Sequence, residues 1–383
     1  MKQYPLFSVR INKKDALNNI ARVFDSGYIN EGSQVLELEN KLEQFLGVQN
    51  LTLVNSGTSA ITLALRILGI GQGDEVISTA MTCIATNTPI FNSGAKIVWA
   101  DIDLSTGMIC PKDAESKITH RTKAILVVDW AGNPCNLEAF ANLSRKYSIP
   151  IIQDAAHAFG AKYLGKSIAD FTDFTCFSFQ AIKHFTTGDG GALICKNPKN
   201  HTLARKLKWF GYDRDKVKDE KGEWRGQKSA ADISKNEVGY KFNMNNLSAA
   251  IGLSNLDKID ETLRTHRENA SVYKSLLASS PRIELLEELK NSESSYWVYT
   301  LKLKTRKDIR DKILEELNLL GIQAGLVHLP NNSYSAFEKF SIPIPNTENF
   351  SNTQISLPCG WWLNKADCEF IAINLLKLIL KYI

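Results

Sequence analysis

The chain has 383 residues, 44% hydrophobic and 23% charged, which is enough for a large core divided among two or three units. Its formal charge of +5 is spread thinly, and no run of lysine and arginine is dense enough to argue for nucleic acid. Seven scattered cysteines without a Cys-x-x-Cys pair fit reduced thiols in the cytoplasm better than a disulfide framework. Residues 1–10 lack the apolar core of a signal peptide, and no apolar run reaches the ~18 residues of a membrane span.

Helical spacing of apolar residues predicts helices over 13–24 and 34–46, the second on Val35, Leu38, Leu42 and Phe45. Residues 51–54 read as a buried strand that runs into Asn55-Ser56-Gly57-Thr58-Ser59-Ala60 and an apolar helix ending at Leu68. Strands follow at 74–79, 96–100 and 123–130, then a helix over 137–147 and a strand that ends in Asp154. Strands alternating with helices indicate an α/β domain with a mainly parallel sheet. Segments 174–179 and 192–195 flank a glycine-rich turn and read as an antiparallel addition to that sheet. Residues 206–236 are rich in charge and glycine and read as a long exposed loop. A bridging helix over 244–263 leads to a strand at 297–304, a helix at 308–320, a strand at 323–326 and an amphipathic helix at 366–383. The expected division is a large α/β domain over 1–250 and a small α+β domain over 251–383.

Three constellations carry chemistry. Ser56-Gly57-Thr58-Ser59 lies between a strand and a helix, where unpaired amides and the helix dipole can hold a phosphate. Asp154 ends a hydrophobic strand, with His157 one turn further on. Ser178 and Lys183 lie between an apolar run and Thr186-Thr187-Gly188-Asp189-Gly190-Gly191. Each alone has an ordinary reading: a helix cap, a core histidine, a surface lysine, a hairpin turn. A phosphate loop, an acid on a strand and a lysine, in that order within one α/β domain, are what pyridoxal 5'-phosphate (PLP) requires. The amine bonds to the cofactor aldehyde, and the carboxylate keeps the pyridine nitrogen protonated.

With Gly239-Tyr240-Lys241-Phe242-Asn243-Met244-Asn245-Asn246 and Ile355-Ser356-Leu357-Pro358-Cys359-Gly360-Trp361-Trp362 added, the chain resembles the DegT/DnrJ/StrS family of PLP-dependent nucleotide-sugar aminotransferases. The resemblance implies the aspartate-aminotransferase fold (PLP fold type I), with Lys183 bonded to the cofactor and carrying the proton. It pairs Asp154 with the pyridinium and puts His157 at the ring or its oxygen. It assigns the phosphate to Gly57, Thr58, Ser59 and Ser178. Asn243 is expected to reach the neighbouring subunit's cofactor, which makes the active unit a homodimer. His184, His328 and Lys241 are candidates for substrate contact. Cys83 stands where many members carry an aromatic over the ring, so another residue is expected to supply stacking. Some members are dehydratases with histidine at the lysine position, and Lys183 argues for transamination. The expected partners are L-glutamate and a nucleotide-linked keto sugar, with the cofactor passing through pyridoxamine phosphate (PMP). No metal and no membrane insertion are expected.

Overall fold

The computed structural model describes residues 2–213 and 237–383. The strands come in the order β1 (Leu51–Val54), β2 (Glu75–Thr79), β3 (Lys96–Ala100), β4 (Thr122–Val128) and β5 (Ile151–Asp154). The two-residue strands β6 (Lys162–Tyr163) and β7 (Lys166–Ser167) follow, then β8 (Phe174–Ser178) and β9 (Gly191–Cys195). All but β6 and β7 join one sheet, ordered β1-β9-β8-β5-β4-β2-β3. From β3 to β8 every pairing is parallel, and β9 runs antiparallel to both of its neighbours.

Alternation along each strand builds two cores. Ile77, Ile125, Val127 and Ile151 join one apolar cluster, whereas Val76, Leu126 and Ile152 join the other. Burial on both faces explains why these strands read as continuous apolar runs. The covering helices are α1 (Lys13–Ser26), α2 (Ser33–Leu46), α3 (Gly57–Ile67), α4 (Ile84–Asn92), α5 (Pro111–Ser116), α6 (Leu137–Tyr147), α7 (Pro198–Leu207) and α8 (Asn246–Leu256).

A third cluster includes Tyr273, Leu301, Ile313, Ile355 and Leu375. It is built by α9 (Ile259–Leu277), β10 (Ile283–Leu285), β12 (Tyr299–Leu303), α10 (Lys307–Leu319), β13 (Gln354–Leu357) and α12 (Lys365–Tyr382), with β11 (Ser292–Glu293) and α11 (Pro345–Thr353) between them in sequence. β10, β12 and β13 form an antiparallel sheet in that order. The N-terminal segment straps this region: Tyr4 donates its N–H to Gly321 and accepts from Gln323, at 2.8 and 3.0 Å. No helix among the described residues is long and apolar enough to cross a membrane.

Three predicted elements differ. The single helix over 244–263 is two, because α8 ends at Leu256 and α9 starts at Ile259 in order to pack on different partners. Asn245 caps α8 by accepting from the Ser248 N–H at 2.9 Å, which starts the helix two residues late. The strand at 323–326 is reduced to one bridge, Gly325 to Ser356, and Val327 then adopts a left-handed φ of 61°. That conformation is rare for a β-branched residue and ends any extended run. The loop expected over 206–236 begins inside α7, and residues 214–236 lie outside the described residues.

Candidate active site

The parallel strands deliver their carboxyl ends to one edge of the sheet, which is where open α/β sheets bind ligands. A cavity of about 380 Å³ lies there. It is lined from the β1–α3 turn (Ser56, Gly57, Thr58), the β2–α4 loop (Thr82, Cys83), β5 (Asp154), the β8 end (Ser178) and the loop carrying Lys183.

At one end, α3 starts at Gly57 with Ser56 as its N-cap; the Ser56 hydroxyl accepts from the Ser59 N–H at 3.1 Å. The glycines are dictated by contact. A Cβ on Gly57 would lie 2.9 Å from the Ser178 Cβ, and one on Gly191 would lie 2.6 Å from the Gly57 nitrogen. α3, β8 and β9 therefore meet backbone to backbone, which brings the helix amides, Thr58 and the Ser178 hydroxyl to one wall of the cavity.

Asp154 is buried in the floor. Its Oδ2 accepts from the Thr86 hydroxyl at 2.6 Å and its Oδ1 from the Ala156 N–H at 3.1 Å. Burial raises its pKa, opposed by the Thr86 and Ala156 donors and by the Lys183 charge. Each oxygen keeps a lone pair for a further N–H donor.

Burial lowers the Lys183 amine to about 8, with Asp154 and then Cys83 pulling the other way. The amine lies 3.6 Å from the centre of a Trp297 ring. Trp297 is fixed by its Nε1–H, which donates to the Ile182 carbonyl at 2.9 Å, so the indole is tied to the lysine's own loop. His157 stacks on Trp297 with centroids 4.0 Å apart, and Phe7 also stacks on it at 4.6 Å. His328 lies parallel to His157 at 5.4 Å, with their Nε2 atoms 3.4 Å apart. That contact needs one donor and one acceptor, so both rings are not protonated together. Burial holds His157 well below the usual histidine range and brings His328 to about 3, with the Lys183 charge adding to both.

Of the residues expected from sequence, Gly57, Thr58, Cys83, Asp154, His157, Ser178, Lys183 and His328 line this one cavity. Four do not. Ser59 turns away: its hydroxyl donates to Asn55 Oδ1 at 2.6 Å, and Ser56, one turn earlier, faces the cavity in its place. His184 is packed against His266 with its Nε2 at 2.9 Å from the Ser295 carbonyl, so it is a core histidine and not a wall of this cavity. Asn243 is buried and donates to Asn30 Oδ1 and the Met244 carbonyl, both at 3.1 Å. The exposed Lys241 donates to Asn243 and lies over the Trp209 ring. Sequence reasoning missed Thr86, Trp297, Gln180 and Asp189. The only local signal was Thr82-x-x-x-Thr86, two hydroxyls one turn apart at a helix start. Cys83 does line the cavity, and the aromatic wall is Trp297, which sits ahead of β12.

The donor set fits PLP end to end. Gly57, Thr58 and Ser178 would hold the phosphate at the helix start that Ser56 caps, Asp154 the pyridine nitrogen, and Lys183 the aldehyde carbon. A mostly parallel α/β sheet with this site at its carboxyl edge defines a PLP-dependent enzyme of fold type I.

Comparison narrows the class. A model of the DegT/DnrJ/EryC1/StrS aminotransferase family matches residues 10–375. AtS13 from Actinomadura melliaura is 36% identical, covering 98% of this chain and 99% of its own, with a TM-score of 0.89. The sugar aminotransferase CalS13 from Micromonospora echinospora is 30% identical over 98% and 99% of the two chains, with a TM-score of 0.89. Spr1654 from Streptococcus pneumoniae, solved in PLP and PMP forms, is 27% identical; its PLP form covers 100% of both chains with a TM-score of 0.89. The chain belongs to the DegT/DnrJ/EryC1/StrS aminotransferase family and is a PLP-dependent aminotransferase whose cofactor cycles through PMP.

Proposed function

We propose that this aminotransferase moves an amino group from L-glutamate to a keto-deoxy sugar carried on a nucleotide, in the service of amino-sugar and surface-polysaccharide synthesis. The observation that carries the reading is the convergence of Lys183, Asp154 and the α3 phosphate cradle in one cavity, together with the likeness to CalS13, which is a sugar aminotransferase. Bound PLP supplies an exchangeable aldehyde and a sink for the electrons released at the donor's α carbon.

The protein's part is positional and protonic. Lys183 Nζ takes the proton from the donor's α carbon and returns it at the cofactor's aldehyde carbon. An amine brought to about 8 by burial is poised for both directions near neutral pH. Asp154, whose two protein donors favour its ionised form against burial, would keep the pyridine nitrogen protonated. Trp297 and Ile182 form an apolar wall beside the amine. His328 and Gln180 stand at the cavity wall as polar contacts for the acceptor. The active unit is a homodimer, to whose partner site each subunit offers Asn243 and its exposed neighbour Lys241.

The test is a panel of keto sugars on dTDP, UDP and GDP, with glutamate as donor and 2-oxoglutarate as readout. Turnover with a keto sugar nucleotide supports the reading. Turnover only with a free ketone such as a cyclitol overturns it, and loss of the cofactor colour with other amino acids but not glutamate overturns the donor.

A further inference from the structure

A chain of hydroxyls runs to Asp154 from the β2–α4 junction. Thr82, in the β2–α4 loop, and Thr86, in the first turn of α4, have their hydroxyl oxygens 2.7 Å apart, and both are buried. Thr86 also lies 2.6 Å from Asp154 Oδ2. A hydroxyl has one proton. Facing a carboxylate, the Thr86 hydroxyl must donate to it, so Thr82 must donate to Thr86. The direction of the whole chain is thus fixed by the charge on Asp154, and each link polarises the next.

The loop that carries Thr82 is locked from the far end of the sequence. Asn331, fully buried, donates through Nδ2 to the Thr82 carbonyl at 2.8 Å and through its N–H to the Ala80 carbonyl at 2.7 Å. Its Oδ1 accepts from Asn87 at 2.8 Å, and Asn87 also donates to the Thr79 carbonyl at 3.0 Å. These bonds fix the backbone from which the Thr82 hydroxyl projects toward Thr86.

We infer that Thr86, oriented by Thr82, is a positioning residue for the aminotransferase reaction: its hydroxyl holds Asp154 ionised and in register with the pyridine nitrogen of the cofactor. Asp154 needs this help because burial works against its charge. The other titratable groups around it are few. Lys183 faces it from the loop after β8, Cys176 is its register partner on β8, and Asp129 follows β4 and donates its N–H to the Asp154 carbonyl at 3.1 Å. Burial keeps the Cys176 thiol protonated and raises Asp129 to about 7. Of these neighbours only Lys183 brings positive charge, and it is the group that bonds to the cofactor. Thr86 is the side-chain donor that stays in place through the cycle.

The inference rests on the aminotransferase assignment and not on the identity of the sugar. Its test uses PLP-loaded enzyme without acceptor. Thr86→Val removes the hydroxyl at nearly constant volume, and Thr86→Ser keeps it. The visible absorption of the lysine-bound cofactor is titrated with pH, and its rate of loss over a range of amino-donor concentrations gives kcat and KM for the donor half-reaction. In Thr86→Val the acidic transition is expected to move to higher pH, because the donor to ionised Asp154 is gone. Its kcat is expected to fall about ten- to a hundredfold, the range for one hydrogen bond to a charged group, with KM for the donor little changed. Thr86→Ser should restore both. Thr82→Val should shift the transition in the same direction by less, and it serves if Thr86→Val does not fold. An acidic transition unmoved in Thr86→Val, or a serine variant as impaired as the valine one, overturns the inference. So does a Tm loss alone without a pH shift, which is what a purely structural Thr86 would give.

Discussion

Gly57→Ala is the sharpest test of how the phosphate cradle is made. The φ of Gly57 is not in the left-handed region, so the substitution acts through space alone. The new Cβ would stand 2.9 Å from the Ser178 Cβ, 3.3 Å from its Cα and 3.4 Å from the Phe177 carbonyl oxygen. Carbon atoms rest at about 3.5–4.0 Å, so the start of α3 or the end of β8 must retreat by roughly 0.6–1.1 Å. Both sides carry donors to the same phosphate, and a hydrogen bond stretched that far is largely lost. One bond to a charged group contributes about 1.5–3 kcal/mol, which is roughly a ten- to hundredfold loss of cofactor affinity. The strain itself costs about 1–3 kcal/mol of stability. The assay is quenching of tryptophan fluorescence as apoenzyme is titrated with PLP, because Trp297 lines the cavity. Gly71→Ala is the control, since its Cβ would meet nothing closer than the Ser93 carbonyl oxygen at 3.7 Å. A Gly57→Ala protein that binds PLP as tightly as the wild type would refute the close-approach argument.

Two further outcomes follow from buried charge. Only the neutral amine attacks an aldehyde, so with Lys183 at about 8 the rate of PLP capture by apoenzyme should rise about tenfold between pH 7 and pH 9 and then level off. Stopped-flow mixing reads this directly, and a rate still climbing at pH 10 would show an ordinary lysine. Lys208 is almost fully buried and bonded to Glu31 at 2.9 Å and Glu39 at 3.4 Å. Removing it in Lys208→Met should destabilise the fold by about 3–5 kcal/mol in urea, by leaving buried carboxylate charge under-compensated. Burial opposes ionisation of Glu39, but Lys208 and Arg205 outweigh it and its carboxyl titrates below the usual range. A depressed carboxyl gives stability that is present above its unfolded pKa and lost as pH falls through the folded one. The penalty of Lys208→Met should therefore be largest at neutral pH and shrink on acidification, as the under-compensated Glu39 takes up a proton.

Local pattern carried the sheet and most of the site, because the strands and the residues at their ends are neighbours in sequence. The acid strand ends at Asp154, as its apolar run predicts, and β8 ends at Ser178, one residue short of the expected 174–179. What pattern could not resolve is direction over one turn. Ser56 and Ser59 are three residues apart and chemically alike, and only the capping geometry decides that Ser56 meets the cavity. His184 adjoins Lys183 in sequence, yet the bend after the lysine sends it into the core. Trp297 could not be found at all: its partners Phe7, His157 and Ile182 are distant in sequence, and no spacing links them. The single helix expected over 244–263 failed for a related reason, since the helical period continues where the packing partners change.

The ring stack of Phe7, Trp297, His157 and His328 also bears on when the enzyme comes into being. A ribosome releases Phe7 first, but the indole that it packs against emerges only near the other end of the chain. Contacts of such long sequence separation form late, because loop closure must precede any gain from them. The wall beside Lys183 is therefore completed after the sheet, and a nascent chain that already displays the lysine loop has yet to acquire the surface that dries it.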